Sequence, residues 1–227
     1  MNAHPLDRPA WSALTGGWAH LAHGDDRAWR IEPDHGPFAA TADFTPENID
    51  ALRSLPGAEG ELWLVETAPL PALPGLTVLR EADITQMVAG TISSGEPDFE
   101  VEELGEADAA EMLALATLTR PGPFLVKTHR LGRFIGVKQS GCLVAMAGER
   151  MRMPGFAEVS GVCTHPDHRG KGYAAGLMRL VARRMLAQGE MPFLHAYAAN
   201  EGAVRLYDTL GFRIRRTVRL TVVTTRA

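Results

Sequence analysis

The stretch from Phe156 to Leu180, F-A-E-V-S-G-V-C-T-H-P-D-H-R-G-K-G-Y-A-A-G-L-M-R-L, changes its residue pattern twice and so dictates what must surround it. Small and β-branched residues through Val159 and Val162 predict a strand. A turn follows at His165-Pro166-Asp167, then a loop carrying Gly170 and Gly172, then a helix with Leu177, Met178 and Val181 on one side. A strand, a glycine loop and a helix start, in that order, leave a row of backbone N–H groups without partners at the positive end of the helix dipole. Such a row holds phosphate.

Two glycine-loop chemistries compete for this stretch. A Walker loop needs a hydroxyl residue after its lysine, but Lys171 is followed by Gly172. A dinucleotide fingerprint is formally present as Gly170, Gly172 and Ala175. Its first glycine should close the strand directly, yet His165–Arg169 intervene, and the following strand ends in Tyr197-Ala198-Ala199 with no acid for a ribose. Neither reading fits.

Composition sets wider limits. The 227 residues are 45% hydrophobic and 22% charged, as expected of a globular chain with a sizeable core. The net charge of -4 argues against nucleic acid as a partner. That average hides a split: the first hundred residues carry roughly three acids for each base. From His165 onward the excess is basic, through Arg169, Lys171, Arg179, Arg183, Arg184 and Arg205 to Arg219, which suits an anionic ligand. Cys142 and Cys163 have no C-x-x-C partner, so neither a disulfide framework nor a metal site is expected. His4, His20, His23 and His35 are scattered among turn residues and are not ordered as metal ligands. No apolar run approaches the roughly 18 residues of a membrane span. Met1-Asn2-Ala3-His4-Pro5 lacks the features of a signal peptide, so a cytoplasmic protein is expected.

The remaining chain reads as alternating short strands and helices. Trp11, Leu14, Trp18 and Leu21 have helical spacing, weakened by Gly16 and Gly17. Strands are predicted at Ala28–Ile31, Phe38–Ala42, Leu62–Val65 and Leu76–Leu79, and Thr45-Pro46 reads as a helix start. The proline-dense 68–75 is a connector, Gln86–Ala89 is ambiguous, and the loop at Ser93–Pro97 suggests a boundary between an N-terminal α/β domain (1–95) and a second domain (96–227). In the second, a strand over Phe99–Leu104 and a helix over Ala107–Leu118, broken at Thr119-Arg120-Pro121-Gly122-Pro123, precede strands at Arg133–Lys138, Cys142–Glu149 and Gly155–Thr164 in an antiparallel meander. A buried strand over Pro192–Tyr197, a helix capped by Asn200 and ended by Gly211, and two strands around Phe212–Ile214 and Val218–Val223 close the chain.

Arg169-Gly170-Lys171-Gly172-Tyr173-Ala174 matches the [QR]-x-x-G-x-[GA] motif of the GNAT superfamily of N-acetyltransferases. The segment Asn200-Glu201-Gly202-Ala203-Val204-Arg205-Leu206-Tyr207-Asp208-Thr209-Leu210-Gly211-Phe212 resembles that family's N-x-x-A-x-x-L-Y-x-x-L-G-F helix, in the family's order and spacing. The resemblance spans about 100 to 227 and is nearest to the glycine N-acyltransferase-like C-terminal domain group. It implies an α/β fold with a mixed, splayed sheet, the GNAT acyl-CoA N-acyltransferase fold, preceded by a smaller, diverged GNAT-like α/β domain. It also implies acetyl-CoA as cosubstrate, with no metal, and direct transfer of the acetyl group to a primary amine on a small molecule or peptide. The pyrophosphate would lie on the N–H groups from Arg169 to Ala174, that is Arg169, Gly170, Lys171, Gly172, Tyr173 and Ala174. The backbone of Val162, Cys163 and Thr164 would hold the pantetheine arm, the Val162 N–H would polarise the thioester carbonyl, and Asn200 would touch the arm as well as cap its helix.

A protonated alkylamine must lose a proton before attack, and the departing thiolate must gain one. Glu158 stands where some family members carry a catalytic glutamate; strand alternation puts it on one face with Ser160, Val162 and Thr164, roughly 13 Å along the strand and so acting through water. The competing role for Glu158 is a carboxylate that binds a cationic substrate or pairs with an arginine. Tyr207, the tyrosine of the L-Y helix, is the candidate acid by the same resemblance. Cys163 reads as a small apolar strand residue. Two alternatives stay open: a non-catalytic acyl-CoA-binding regulatory module, and an acyltransferase for longer acyl-CoA. The chain is expected to be a monomer or homodimer, and the acidity of its first half points to a cationic acceptor.

Overall fold

The computed structural model describes residues 4–55 and 60–225; Met1–Ala3, read above for a leader, lie outside them. The elements are β1 (Ala22–Asp25), β2 (Ala28–Ile31), β3 (Ala39–Thr41), β4 (Glu61–Glu66), β5 (Thr77–Val88), β6 (Glu102–Leu104), β7 (Phe134–Gln139), β8 (Cys142–Met153), β9 (Phe156–Thr164), β10 (Met191–Tyr197) and β11 (Arg213–Thr224). The helices are α1 (Pro9–Leu14), α2 (Pro46–Ser54), α3 (Ala109–Thr119), α4 (Tyr173–Ala187) and α5 (Glu201–Leu210). Eight strands form one sheet in the order β4-β11-β5-β10-β9-β8-β7-β6, and β1-β2-β3 form a small second sheet. All pairs in the large sheet are antiparallel except β9 with β10, so the sheet is mixed as expected.

Alternation along the strands divides the helices between the two faces. On β10, Phe193 joins Ile84, Val218 and the buried residues of α1, whereas its neighbour Leu194 joins Met87, Leu177 and Met178 under α4. On β7, Phe134 packs with Met112 and Leu115 of α3, and Ile135 with the α4 core. Helices α4 and α5 therefore cover one face, and α1 and α3 the other.

Most predicted elements form, with three instructive differences. The helical spacing after Trp11 does not persist: α1 stops at Leu14 and a separate 3-10 turn spans Ala19–Leu21. Gly17 lies so close to the carbonyl of Arg152 that a Cβ would sit 2.5 Å from it, so this glycine serves packing against β8, not helix. The ambiguous Gln86–Val88 is the end of a long strand, β5, and the two expected closing strands are one, β11, with an irregularity between Ile214 and Arg216. The position expected for a domain boundary, 95/96, is crossed by the large sheet: β4 and β5 precede it, and β5 lies between β10 and β11.

Candidate active site

Strands β9 and β10 pair in parallel for three positions only, Met191–Phe156, Pro192–Ala157 and Phe193–Glu158. Beyond Glu158 they diverge, leaving a wedge whose sides are the unpaired edges of Val159–Thr164 and Leu194–Tyr197. A cavity of about 480 Å³ runs along it, lined by Val162, Cys163 and Thr164 on one side, His195, Ala196 and Tyr197 on the other, and the start of α4 at its end.

One residue shapes the β9 side. Gly161 has φ +63, and Gly161 and Val162 together face Ala147, because Ser160 pairs with Gly148 and Cys163 with Met146. This is a bulge with a left-handed glycine, and a Cβ there would stand 2.7 Å from the Phe134 ring. The extra residue breaks the strand's alternation. Ala157 and Val159 face α4, and after the bulge Val162 does too, while Cys163 packs against Phe124 and Met146 beneath α3. The expectation that Glu158, Ser160, Val162 and Thr164 share a face is thus corrected: Glu158 lies opposite Val162. Burial pushes the Cys163 thiol up to about 11, outweighing a hydrogen bond to Thr119, and this supports its reading as an apolar strand residue.

The far end of the wedge is a backbone cradle. Gly170 and Gly172 have φ +79 and +75, and nothing lies within 4 Å of where their Cβ atoms would be. Their role is conformational. The Arg169 N–H, expected to belong to the row, donates instead to the Pro166 carbonyl at 3.4 Å. The first helical bond of α4 runs from Gly176 N–H to the Gly172 carbonyl, and no hydrogen bond to a protein acceptor engages the N–H groups from Gly170 to Ala175 among the described residues. Arg169 and Lys171 are exposed and make no ion pair among the described residues. Tyr173 contributes only backbone, since its ring is buried edge-on against Phe99 at 4.9 Å. The hydroxyl of Thr164 is buried without a partner beside the wedge. A row of free donors, flanking cations and an orphaned hydroxyl fit a phosphate-ended, amide-containing chain such as an acyl-CoA. Asn200 caps α5 as expected, its Oδ1 accepting the Ala203 N–H at 3.2 Å, and it also lines the cavity.

Glu158 and Tyr207 occupy different settings. Tyr207 lines the cavity, packs edge-on to Phe212 at 6.4 Å, and has its hydroxyl pKa raised by burial. Glu158 is 0% exposed and does not line the cavity. Arg150 Nε and Nη2 donate to its two oxygens at 2.8 and 2.9 Å, and His195 Nδ1 lies 2.8 Å from Oε1. Burial alone would raise its pKa, but Arg150 and His195 outweigh burial and hold the carboxyl at about 2.

His195 connects this buried carboxylate to the wedge, and the sequence reading passed it over. Its tautomer follows from its neighbours. Gln86 Oε1 accepts from Arg215 at 2.9 Å and Gln86 Nε2 donates to the Leu6 carbonyl at 2.9 Å, so the amide can be placed only one way. Gln86 Nε2 then also donates to His195 Nε2 at 3.1 Å, and the imidazole proton sits on Nδ1, donated to Glu158. The available signal was a histidine inside the otherwise apolar run 191–196.

A splayed parallel pair and a free-donor loop at the head of α4 are what the loop and helix motifs had led us to expect, and comparison with known proteins agrees. The FR47-like protein family matches residues 134–220. A crystal structure of a GNAT-family protein from Novosphingobium aromaticivorans DSM 12444 is 46% identical, covers 99% of this chain and 100% of its own, and superposes with a TM-score of 0.89. This chain belongs to the GNAT family. A GCN5-related N-acetyltransferase from Kribbella flavida (18% identity, 96% of this chain and 95% of that one, TM-score 0.62) shares the fold. So does a GCN5-related N-acetyltransferase-like protein from Streptococcus suis (14%, 95% and 92%, TM-score 0.59). No curated protein matches the sequence. The GNAT chain is an acyltransferase, and acyl-CoA is the donor class of such enzymes. Among the described residues no group of His, Cys, Asp or Glu is placed to hold a metal, and no helix is long and apolar enough to cross a membrane.

Proposed function

We propose that this GNAT protein transfers an acetyl group from acetyl-CoA directly to a primary amine. The observation that carries the reading is the wedge. It joins a cradle of free N–H groups from Gly170 to Ala175 to a cavity wall formed by Tyr207, with the open backbone edge of Val162–Thr164 between them. Acetyl-CoA supplies an activated thioester. The N–H groups and the side chains of Arg169 and Lys171 receive its phosphates. Val162, Cys163 and Thr164 line the arm, and Asn200 contacts it with an amide NH₂ group not used in capping. The Val162 N–H, at the bulge, polarises the reacting carbonyl. Tyr207, kept protonated by burial, gives its proton to the departing sulfur.

Glu158, held at about 2, is a poor base; together with Gln86 it fixes the His195 ring, whose two nitrogens are both engaged, and the amine gives its proton to water in the wedge. The preference for acetyl over longer acyl groups is part of the proposal, and the small lining residues Ala196 and Ala203 leave the longer-chain alternative to the test below. So are kinship with the glycine N-acyltransferase-like group, a cytoplasmic location and a monomeric or homodimeric state. The division into 1–95 and 96–227 is proposed as a mark of ancestry, with β5 of the first part built into the sheet of the second.

Free-thiol release from acetyl-CoA over a panel of primary amines tests the reading, with octanoyl-CoA as a second donor. Turnover with acetyl-CoA and at least one amine is expected. Coenzyme A binding without thiol release from any amine would instead favour a regulatory acyl-CoA-binding module.

A further inference from the structure

The acceptor end of the wedge has a charge opposite to that expected from the acidic first half of the chain. A second cavity, of about 560 Å³, shares Trp63, Arg120 and Tyr197 with the first and contains no residue of the cradle. Among the described residues lining the two cavities there is one carboxylate, Glu61, and it accepts the indole N–H of Trp63 at 3.0 Å. The other acidic residues of the first half do not line these cavities. Two arginines line the second cavity instead. Arg80 lies over the Trp63 ring, 5.0 Å from its centroid. Arg120 lies at the end of α3 with φ +51, a conformation that disfavours any residue with a side chain. Neither makes an ion pair among the described residues, unlike Arg150, which Glu158 neutralises. The rest of this lining is apolar, with Phe124, Leu125 and Leu79.

A cationic acceptor would meet unbalanced guanidinium groups here, whereas a carboxylate would find two side chains able to donate charge-assisted hydrogen bonds. We propose that the acceptor is an amino carboxylate with an apolar side chain. Its carboxylate binds Arg120 and Arg80, its side chain lies against Trp63 and Phe124, and its amine points along the wedge toward His195. The proposal rests on the amine-acetylating reading above and names its substrate class.

The test compares leucine, phenylalanine and tryptophan, each beside its carboxamide and its decarboxylated amine, with 1,5-diaminopentane as a cationic control. At least one amino acid should give a kcat/KM about 10- to 100-fold above its amide and its decarboxylated amine, the worth of a charge-assisted hydrogen bond. Arg120→Ala should raise KM for the amino acid by a similar factor while leaving the decarboxylated amine and coenzyme A binding nearly unchanged. Equal or better turnover of the decarboxylated amines or of diaminopentane overturns the proposal. If no amine releases thiol, the acetyltransferase reading fails, and calorimetry with coenzyme A present still decides the acceptor class. Amino-acid binding that Arg120→Ala or Arg80→Ala abolishes supports it, and the absence of binding by all three amino acids overturns it.

Discussion

The two ends of the wedge are built from different materials. The cradle at Gly170–Ala175 consists of backbone donors on an exposed loop, where side chains matter mainly through their absence at Gly170 and Gly172. The floor at Glu158 consists of side chains locked together in the interior. Arg150, Glu158, His195, Gln86, Arg215 and Asp7 form one continuous hydrogen-bonded chain, with Asp7 accepting from Arg215 at 2.6 Å. A backbone cradle depends on conformation and little else, so disturbing it should weaken ligand binding and spare the fold. A buried polar chain holds charges that become costly when one partner goes, so disturbing it should unfold the protein before it alters binding.

The largest expected effect tests that contrast at the floor. Glu158→Ala leaves Arg150 buried without its carboxylate, which costs about 3–5 kcal/mol, and thermal unfolding should fall by about 10 °C. Coenzyme A affinity of the protein that remains folded should stay within about threefold. A melting shift below about 2 °C would break the comparison. The same carboxylate sets an acid response. Its folded pKa of about 2 lies below the ordinary 4.5, so its contribution is complete above pH 4.5 and is lost as the pH falls toward 2. Glu158→Gln should flatten the acid side of a stability-against-pH curve, and an unchanged slope would count against the ion pair.

Next in size is Tyr207→Phe, which should lower kcat about 100-fold while changing coenzyme A binding and melting little, because only the hydroxyl is removed. An unchanged kcat at neutral and alkaline pH would remove Tyr207 as the acid. The smallest effect belongs to the cradle. Gly172→Ala places a Cβ at φ +75, a strain of about 1–2 kcal/mol. The exposed loop can relieve it by turning its N–H groups, so coenzyme A affinity should drop about tenfold with melting within about 3 °C. Loss of stability without loss of affinity would reverse the assignment of the two ends.

The same contrast explains what was legible in the sequence. The cradle is local: its glycines and its helix start are close in the chain, and their resemblance, with that of the Asn200 helix, to known motifs pointed to the GNAT family. The floor is assembled from β5, β8, β9, β10 and β11, and no local pattern reports which distant residues meet there. Glu158 could be named as a site residue, but not its burial against Arg150, which depends on an irregularity in the β8–β9 pairing between Glu149 and Arg152. Gly161 was visible as a glycine in a strand, yet its bulge, which turns Val162 to the opposite face from Glu158, follows from tertiary packing on Phe134. Trp63, Arg80 and Arg120 meet for the same reason: two precede residue 95, one follows it, and the shared cavity brings them together.

The seat of β11 between β4 and β5 has a consequence for how the molecule is made. Residues 213–224 fill a gap between two strands that leave the ribosome more than half a chain earlier. Until they arrive, β4 and β5 each present a bare edge, available to any other unpaired strand. Closure of the sheet is a long-range event and is expected to be slow, so the nascent chain is most prone to aggregate before residues 213–224 have emerged. Stalling translation upstream of Arg213 should therefore leave an insoluble chain, although most of the cradle's residues are already present.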